Sequence, residues 1–118
     1  MKRIVSVVAA ISIAVTFFMG MPALASADLD VGKKVFTSNC SSCHLGGKNV
    51  IMAQKNLKID ALEKYLTNFG DAHDAGAIAY QVTNGKNAMP AFGGRLNTDE
   101  IESVAAYVIA QAEADWKS

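Results

Sequence analysis

The sequence predicts an all-α domain behind an export leader. Three observations carry that reading. Apolar residues recur at steps of three and four in several segments, helix-capping residues stand just ahead of them, and no run shows convincing strand alternation. The leader comes first: Lys2 and Arg3 precede an almost uncharged apolar run from Ile4 to Met21, then Pro22, Ala23, Leu24, Ala25, Ser26 and Ala27. A short positive start, an apolar stretch and small residues at alternate positions make a secretory signal peptide. A retained anchor is the rival, since such a run could just span a bilayer. Gly20, Pro22 and two cleavage-like patterns favour removal, giving a signal peptide at 1–26 and one domain at 27–118.

The first helix is expected over Asp30 to Ser38, with Val31, Val35 and Phe36 on one face. A polar loop runs from Asn39 through Asn49. Asp60 reads as the cap of Ala61 to Asn68, whose Leu62, Tyr65, Leu66 and Phe69 hold helical spacing; Phe69-Gly70-Asp71 ends it. Asp74 caps a third helix through Thr83, closed by Asn84-Gly85. Pro90 and the Gly93-Gly94 pair make 86–96 a loop. Asn97 and Glu100 form a capping box for a last helix that buries Ile101, Val104, Ala105, Val108, Ile109 and Ala112. Loops this long in so small a domain are expected where they wrap something other than protein.

A mature chain of about 90 residues is near the size where a polypeptide core alone is marginal, so a staple is expected. Cys40 and Cys43 are the only cysteines, and a bridge between them would close too small a loop to serve. The precursor has 11 basic and 11 acidic residues; without Lys2 and Arg3 the side chains carry about −2. No basic cluster suggests a nucleic-acid partner.

Cys40-Ser41-Ser42-Cys43-His44 is the strongest motif. Thiols at this spacing can add to the two vinyl groups of one haem, and the adjoining imidazole then binds iron on the proximal side. A thioredoxin-like redox pair would need a βαβ context, which is missing. A zinc site would need four ligands, but the two histidines are His44, badly spaced beside Cys43, and His73. Haem is the reading that fits.

The sixth iron position has three candidates. Met52 lies close behind His44 in sequence and would need a tight wrap round the haem edge. His73 lies in the polar stretch Gly70-Asp71-Ala72-His73-Asp74 and is expected to face solvent. Met89 is far enough along for the chain to pass round the haem, and Pro90 after it favours an extended backbone. The residues favour Met89, although an adaptable buried methionine would read the same way. Thioether ligation raises the reduction potential, and two filled axial positions leave no place for oxygen or peroxide.

Gly32-Lys33-Lys34-Val35-Phe36, the cysteine motif, Tyr80-Gln81-Val82, Asn84 through Phe92 and Val104 through Val108 together resemble the cytochrome c6 family, over essentially the whole mature chain. The resemblance implies a class I cytochrome c fold, four or so helices wrapped around one covalent haem c, with Met89 as second axial ligand. It implies a non-enzymatic, monomeric electron carrier of the thylakoid lumen, docking transiently with the cytochrome b6f complex (through cytochrome f) and photosystem I. A terminal oxidase is a further possible partner; no nucleic-acid partner and no stable membrane insertion after signal removal are expected. It also implies that Gly32 and Phe36 pack against Tyr107, that Gln81 contacts the haem and supports a high potential, that Lys55 lies near a propionate, and that Arg95 takes part in docking. Lys55 and Arg95 read equally as ordinary surface charges. Two departures stand out: the stretch from Phe69 to Gly76 is longer than usual, and Phe92 stands where many members have tryptophan. The alternatives are a small bacterial cytochrome c feeding an oxidase, a haem peroxidase or gas sensor, and a thiol oxidoreductase.

Overall fold

The computed structural model describes residues 27–117. The expected signal peptide at 1–26 lies outside the described residues, as does Ser118. Among the described residues there are five α-helices: α1 (Leu29–Asn39), α2 (Ser41–His44), α3 (Ile59–Tyr65), α4 (Ala75–Asn84) and α5 (Thr98–Glu113). A single 3₁₀ turn, Leu45–Gly47, follows α2, and the only β-type pairing among the described residues is the isolated bridge between Lys86 and Met89. The all-α expectation holds.

α1 starts where Asp28 turns its carboxylate onto the orphan N–H groups of Asp30 (2.8 Å) and Val31 (3.3 Å). The Asp28 N–H also donates to Ser103 Oγ of α5 at 3.0 Å, so the start of α1 is tied to the last helix. The two helices then cross at Gly32. A Cβ there would run into the Ser103 carbonyl and stand 2.8 Å from Tyr107 Cβ, so only glycine permits the approach. One turn on, the tilted rings of Phe36 and Tyr107 pack at 5.4 Å between centroids, as the resemblance implied.

α1 does not simply give way to a loop at Asn39. The chain kinks at Cys40 and makes one further helical turn, because the Cys40 carbonyl accepts from both Cys43 N–H (3.2 Å) and His44 N–H (2.9 Å). The segment expected as loop therefore opens as α2.

α3 corrects the sequence reading more sharply. It starts two residues before Ala61, and Asp60 sits in its first turn instead of capping it. The cap position is Lys58, whose N–H is held by Asn56 Oδ1 at 2.9 Å. The helix stops at Tyr65, short of Asn68, because Leu66 swings to extended backbone and Asn68 adopts φ 66°. That turn drives Phe69 into the core at 1% exposure. Burying a phenylalanine stabilises by about 1.5–3 kcal/mol, enough to override weak local preference for another turn of helix.

α4 and α5 begin as expected. Asp74 accepts from Gly76 N–H at 2.8 Å, and Asn97 and Glu100 form the reciprocal capping box (2.8 and 3.1 Å). α5 is the common support: α1 packs on it most extensively and α4 next, around Val104 and Ala105, which are essentially inaccessible. No helix among the described residues is long and apolar enough to cross a membrane.

Candidate functional site

A cavity of about 500 Å³ lies between α2, α3, α4, α5 and the loops 49–57 and 86–95. Its size is that of an ordinary cofactor or ligand site. Apolar side chains such as Leu62, Ile78, Val82 and Val108 form most of the wall, and Cys40, Cys43, His44 and Met89 all open onto it. The fold thus brings the three motif residues and the distant methionine to one space.

The first wall is built from the end of α1 and from α2. Cys40 is partly buried, Cys43 is exposed, and His44 follows at the end of the same short turn. Burial pushes the Cys40 thiol up to about 11, with the neighbouring Cys43 adding to the shift. Within this wall His44 Nδ1 lies 2.9 Å from the Lys48 carbonyl oxygen. A carbonyl can only accept, so Nδ1 carries the proton and Nε2 keeps its lone pair for a metal.

The second wall carries Met89. α4 ends at Gly85, whose φ of 68° and ψ of 178° belong to a region essentially reserved for glycine. A Cβ there would also lie 2.5 Å from the Met89 oxygen and 2.7 Å from the Ala91 nitrogen. Beyond it, Lys86 and Met89 exchange two backbone hydrogen bonds (3.0 and 2.9 Å), and Phe92 and Gly93 N–H groups donate back to Val82 and Thr83 of α4. The methionine therefore sits on a braced turn, and its Sδ accepts from Gln81 Nε2 at 3.7 Å.

The three candidates for the sixth iron position separate clearly. His73 does not line the cavity; it bonds Glu63 through Nε2 at 2.8 Å, faces Glu113 at 3.6 Å and stacks on Phe69. Met52 does line it, but the Val50 N–H donates to the Cys43 carbonyl at 3.1 Å, so this segment is joined to the wall that already holds His44. Only Met89 comes from a separate wall.

Gln81, Lys55, Arg95 and Phe92 also line the cavity. The Lys55 ammonium lies 5.7 Å from the Tyr65 ring and the Arg95 guanidinium 4.5 Å from the Phe92 ring, so each cation is laid along an aromatic at the rim. Phe92 is buried at 5% and keeps an aromatic in the wall where an indole was the usual residue.

Two residues escaped the sequence reading. Asn49 shapes the 49–55 loop, accepting from Ile51 and Met52 N–H groups (both 3.0 Å) and donating to the Lys55 carbonyl (2.9 Å). Trp116, in the tail after α5, packs on Phe36 with tilted rings at 5.3 Å and meets Tyr107 edge-on at 6.3 Å. The aromatic contact between the first and last helices is therefore a cluster of three rings, not a pair. The one signal for it was that the chain contains a single tryptophan.

Two thiols, an imidazole nitrogen and a thioether opening on one apolar cavity are the donor set of a covalently bound haem, and these residues fit that group.

Comparison with known proteins agrees with this geometry. The family model described as cytochrome c oxidase, cbb3-type, subunit III matches residues 27–108. Cytochrome c6 of Nostoc sp. (strain PCC 7120) is 55% identical over 117 residues, covering 99% of this chain and 100% of that protein. Cytochrome c6 of Bumilleriopsis filiformis is 57% identical over 90 residues, 76% of this chain and 99% of its own length. Among solved structures, cytochrome c6 of the diatom Phaeodactylum tricornutum superposes with a TM-score of 0.72 at 53% identity, covering 76% of this chain and 100% of that one.

Proposed function

The chain belongs to the cytochrome c6 family, and from that membership and the cavity we propose that it carries electrons from the cytochrome b6f complex to photosystem I in the thylakoid lumen. It is an electron-transfer protein of photosynthesis, not an enzyme, and the family implies one covalent haem c. The observation that carries the reading is that His44 and Met89, from separate walls, open on the same apolar cavity.

Cys40 and Cys43 would anchor the haem through thioethers, and His44 and Met89 would bind its iron. When bound, the haem supplies a one-electron ferrous–ferric couple. The protein's share of the work is to hold that couple at a useful potential with little movement. His44 offers Nε2 because the Lys48 carbonyl fixes its tautomer. Gln81 pins one lone pair of the Met89 sulfur and so orients the thioether, whose preference for ferrous iron raises the potential. The hydrogen bonds bracing the Met89 turn limit the rearrangement that accompanies a change of charge.

Brief docking follows from the rim. Leu45, Val50 and Ile51 are exposed in the stretch that follows the motif, and Arg95 lines the cavity with its cation on the Phe92 ring. An apolar patch with few charges suits a short-lived encounter steered weakly by electrostatics. The oxidase subunit named by the matched family model gives one ground for a second route, donation to a terminal oxidase.

Residues 1–26 are the proposed signal peptide and 27–118 the cytochrome domain. The family match beginning at residue 27 supports this, as does the Bumilleriopsis protein, which 90 matched residues nearly exhaust. Intact-mass measurement of the exported protein tests both proposals, since it should give the chain from near Ala27 plus one retained haem.

The deciding experiment is flash-induced re-reduction of photosystem I by the purified holoprotein, together with its reduction potential. Rapid re-reduction and a high potential are expected. A potential well below that of the photosystem I donor site, or carbon monoxide binding to the reduced protein, would overturn the reading.

A further inference from the structure

We propose that Trp116 is a positioning residue for His44: the C-terminal tail is a clasp that fixes the backbone carbonyl on which the imidazole leans. This rests on the proposed role of His44 as an iron ligand.

The tail is turned back on the molecule by two consecutive residues in the left-handed region, Asp115 (φ 52°) and Trp116 (φ 56°). Side-chain-bearing residues hold that conformation only where their surroundings over-determine it. Here the surroundings are specific. The Trp116 N–H donates to the Gln111 carbonyl at 2.7 Å, and the indole Nε1–H donates to the Leu57 carbonyl at 3.0 Å. Leu57 in turn donates its N–H to the Gly47 carbonyl at 2.7 Å, so both backbone polar groups of Leu57 are engaged.

The indole also lies directly against Gly47. A Cβ on Gly47 would fall 2.5 Å from each of three indole atoms, Cδ1, Cε2 and Nε1. No side chain fits between the ring and the backbone. Gly46 and Gly47, both at positive φ, form a turn that without a cover would have unusual freedom. Trp116 is that cover, and it closes the turn immediately before Lys48.

Lys48 provides the link to the iron ligand, because its carbonyl accepts the Nδ1–H of His44 at 2.9 Å. That bond sets the tautomer, the ring plane and the basicity of Nε2. Trp116 itself does not line the cavity. Whatever it does to the iron passes through Gly47, the Lys48 carbonyl and His44.

A firm hydrogen bond from Nδ1–H makes the imidazole a stronger donor and so favours ferric iron. Loosening the clasp while keeping the ring packing should therefore raise the potential. Trp116→Phe does this, since it keeps an aromatic on Phe36 and Gly47 but removes the Nε1–H. Trp116→Ala removes both.

The experiment is proton NMR on the reduced holoprotein of wild type and both variants, with the reduction potential measured on the same samples. In the wild type the His44 ring signals should be strongly displaced by the haem ring current and its Nδ1 proton should exchange slowly. In Trp116→Phe, exchange of that proton should accelerate at least about tenfold, the loss of one hydrogen bond, with an upward shift in potential. Trp116→Ala should accelerate it further. If Nδ1 exchange and potential stay at wild-type values in both variants while only the melting temperature falls, Trp116 is a packing residue and the proposal is wrong. Undisplaced His44 signals in the wild type would instead defeat the ligand assignment, and that failure is distinguishable because it precedes any substitution.

Discussion

The two walls of the cavity are built in opposite ways. The wall that presents Cys40, Cys43 and His44 is local: five consecutive residues on one helical turn, with Lys48 close behind to orient the imidazole. The wall that presents Met89 is assembled at a distance. It needs the end of α4, a glycine-only backbone at Gly85, a bridge back to Lys86 and a glutamine from α4 on the sulfur. The local wall takes its stability from the helix crossing beneath it, while the assembled wall takes the position of its ligand from its own loop geometry. Damage to each should therefore register in different quantities.

Removing the sulfur is the strongest way to test that contrast. Met89→Ala should lower the reduction potential by on the order of 0.1 V or more, within the range that axial ligands span, and admit carbon monoxide to the ferrous protein. Redox titration and the carbon monoxide difference spectrum measure both, and wild-type behaviour would remove Met89 from the ligand set.

Gly85→Ala keeps the sulfur but forces its support. Strain at φ 68°, with backbone of Met89 and Ala91 in the way, should cost about 1–3 kcal/mol in denaturant unfolding. It should also weaken the thioether–iron charge-transfer absorption, a partial copy of the Met89 effect. A variant as unstable as this but spectroscopically normal would mean that the loop geometry does not control the ligand.

Gly32→Ala strikes the foundation of the other wall. Overpacking the α1–α5 crossing against the Ser103 carbonyl should cost about 1–3 kcal/mol. Because Gly32 lies about two turns before Cys40 on α1 and the His44–Lys48 hydrogen bond is left in place, the potential should move less than in Gly85→Ala. An equal shift in potential from Gly32→Ala and Gly85→Ala would erase the distinction between the walls.

The smallest effect lies outside both. His73 ties the α3–α4 connection to Glu63 of α3 and Glu113 of α5, and the hydrogen bond to Glu63 is the main reason its pKa is raised above 6.5. A raised folded-state pKa means stability that is fully present below the unfolded value, about 6.5. It is lost as pH rises through the folded value. His73→Gln should therefore lose stability relative to wild type in mildly acidic buffer and converge with it in alkaline buffer. A melting-temperature difference that does not shrink with rising pH would show that the ion pairs contribute nothing.

Much of the fold is legible in the sequence. The caps at Asp74 and Asn97 were readable because capping is a bond between neighbours in sequence. Asp60 misled for the same local reason: it has the chemistry of a cap, but Lys58 took the position while Phe69 was drawn into the core from the far end. His73 was expected to face solvent from the polarity of its neighbours. It is partly exposed, and it is also held by two acidic residues, one from α3 and one from the end of α5, a partnership no local pattern encodes.

What the sequence determined by itself is whatever a single turn of backbone can hold: the spacing of Cys40, Cys43 and His44, the capping box at Asn97, and the apolar stripe of α5. Only the tertiary structure decided that Met89 shares a cavity with His44, that Met52 falls on the same wall as His44, and that Trp116 lies on Gly47. The physical reason is range. Helical turns and caps join residues within about four positions of one another. The meeting of distant side chains depends on how every intervening helix packs, and that packing is decided by the whole core at once.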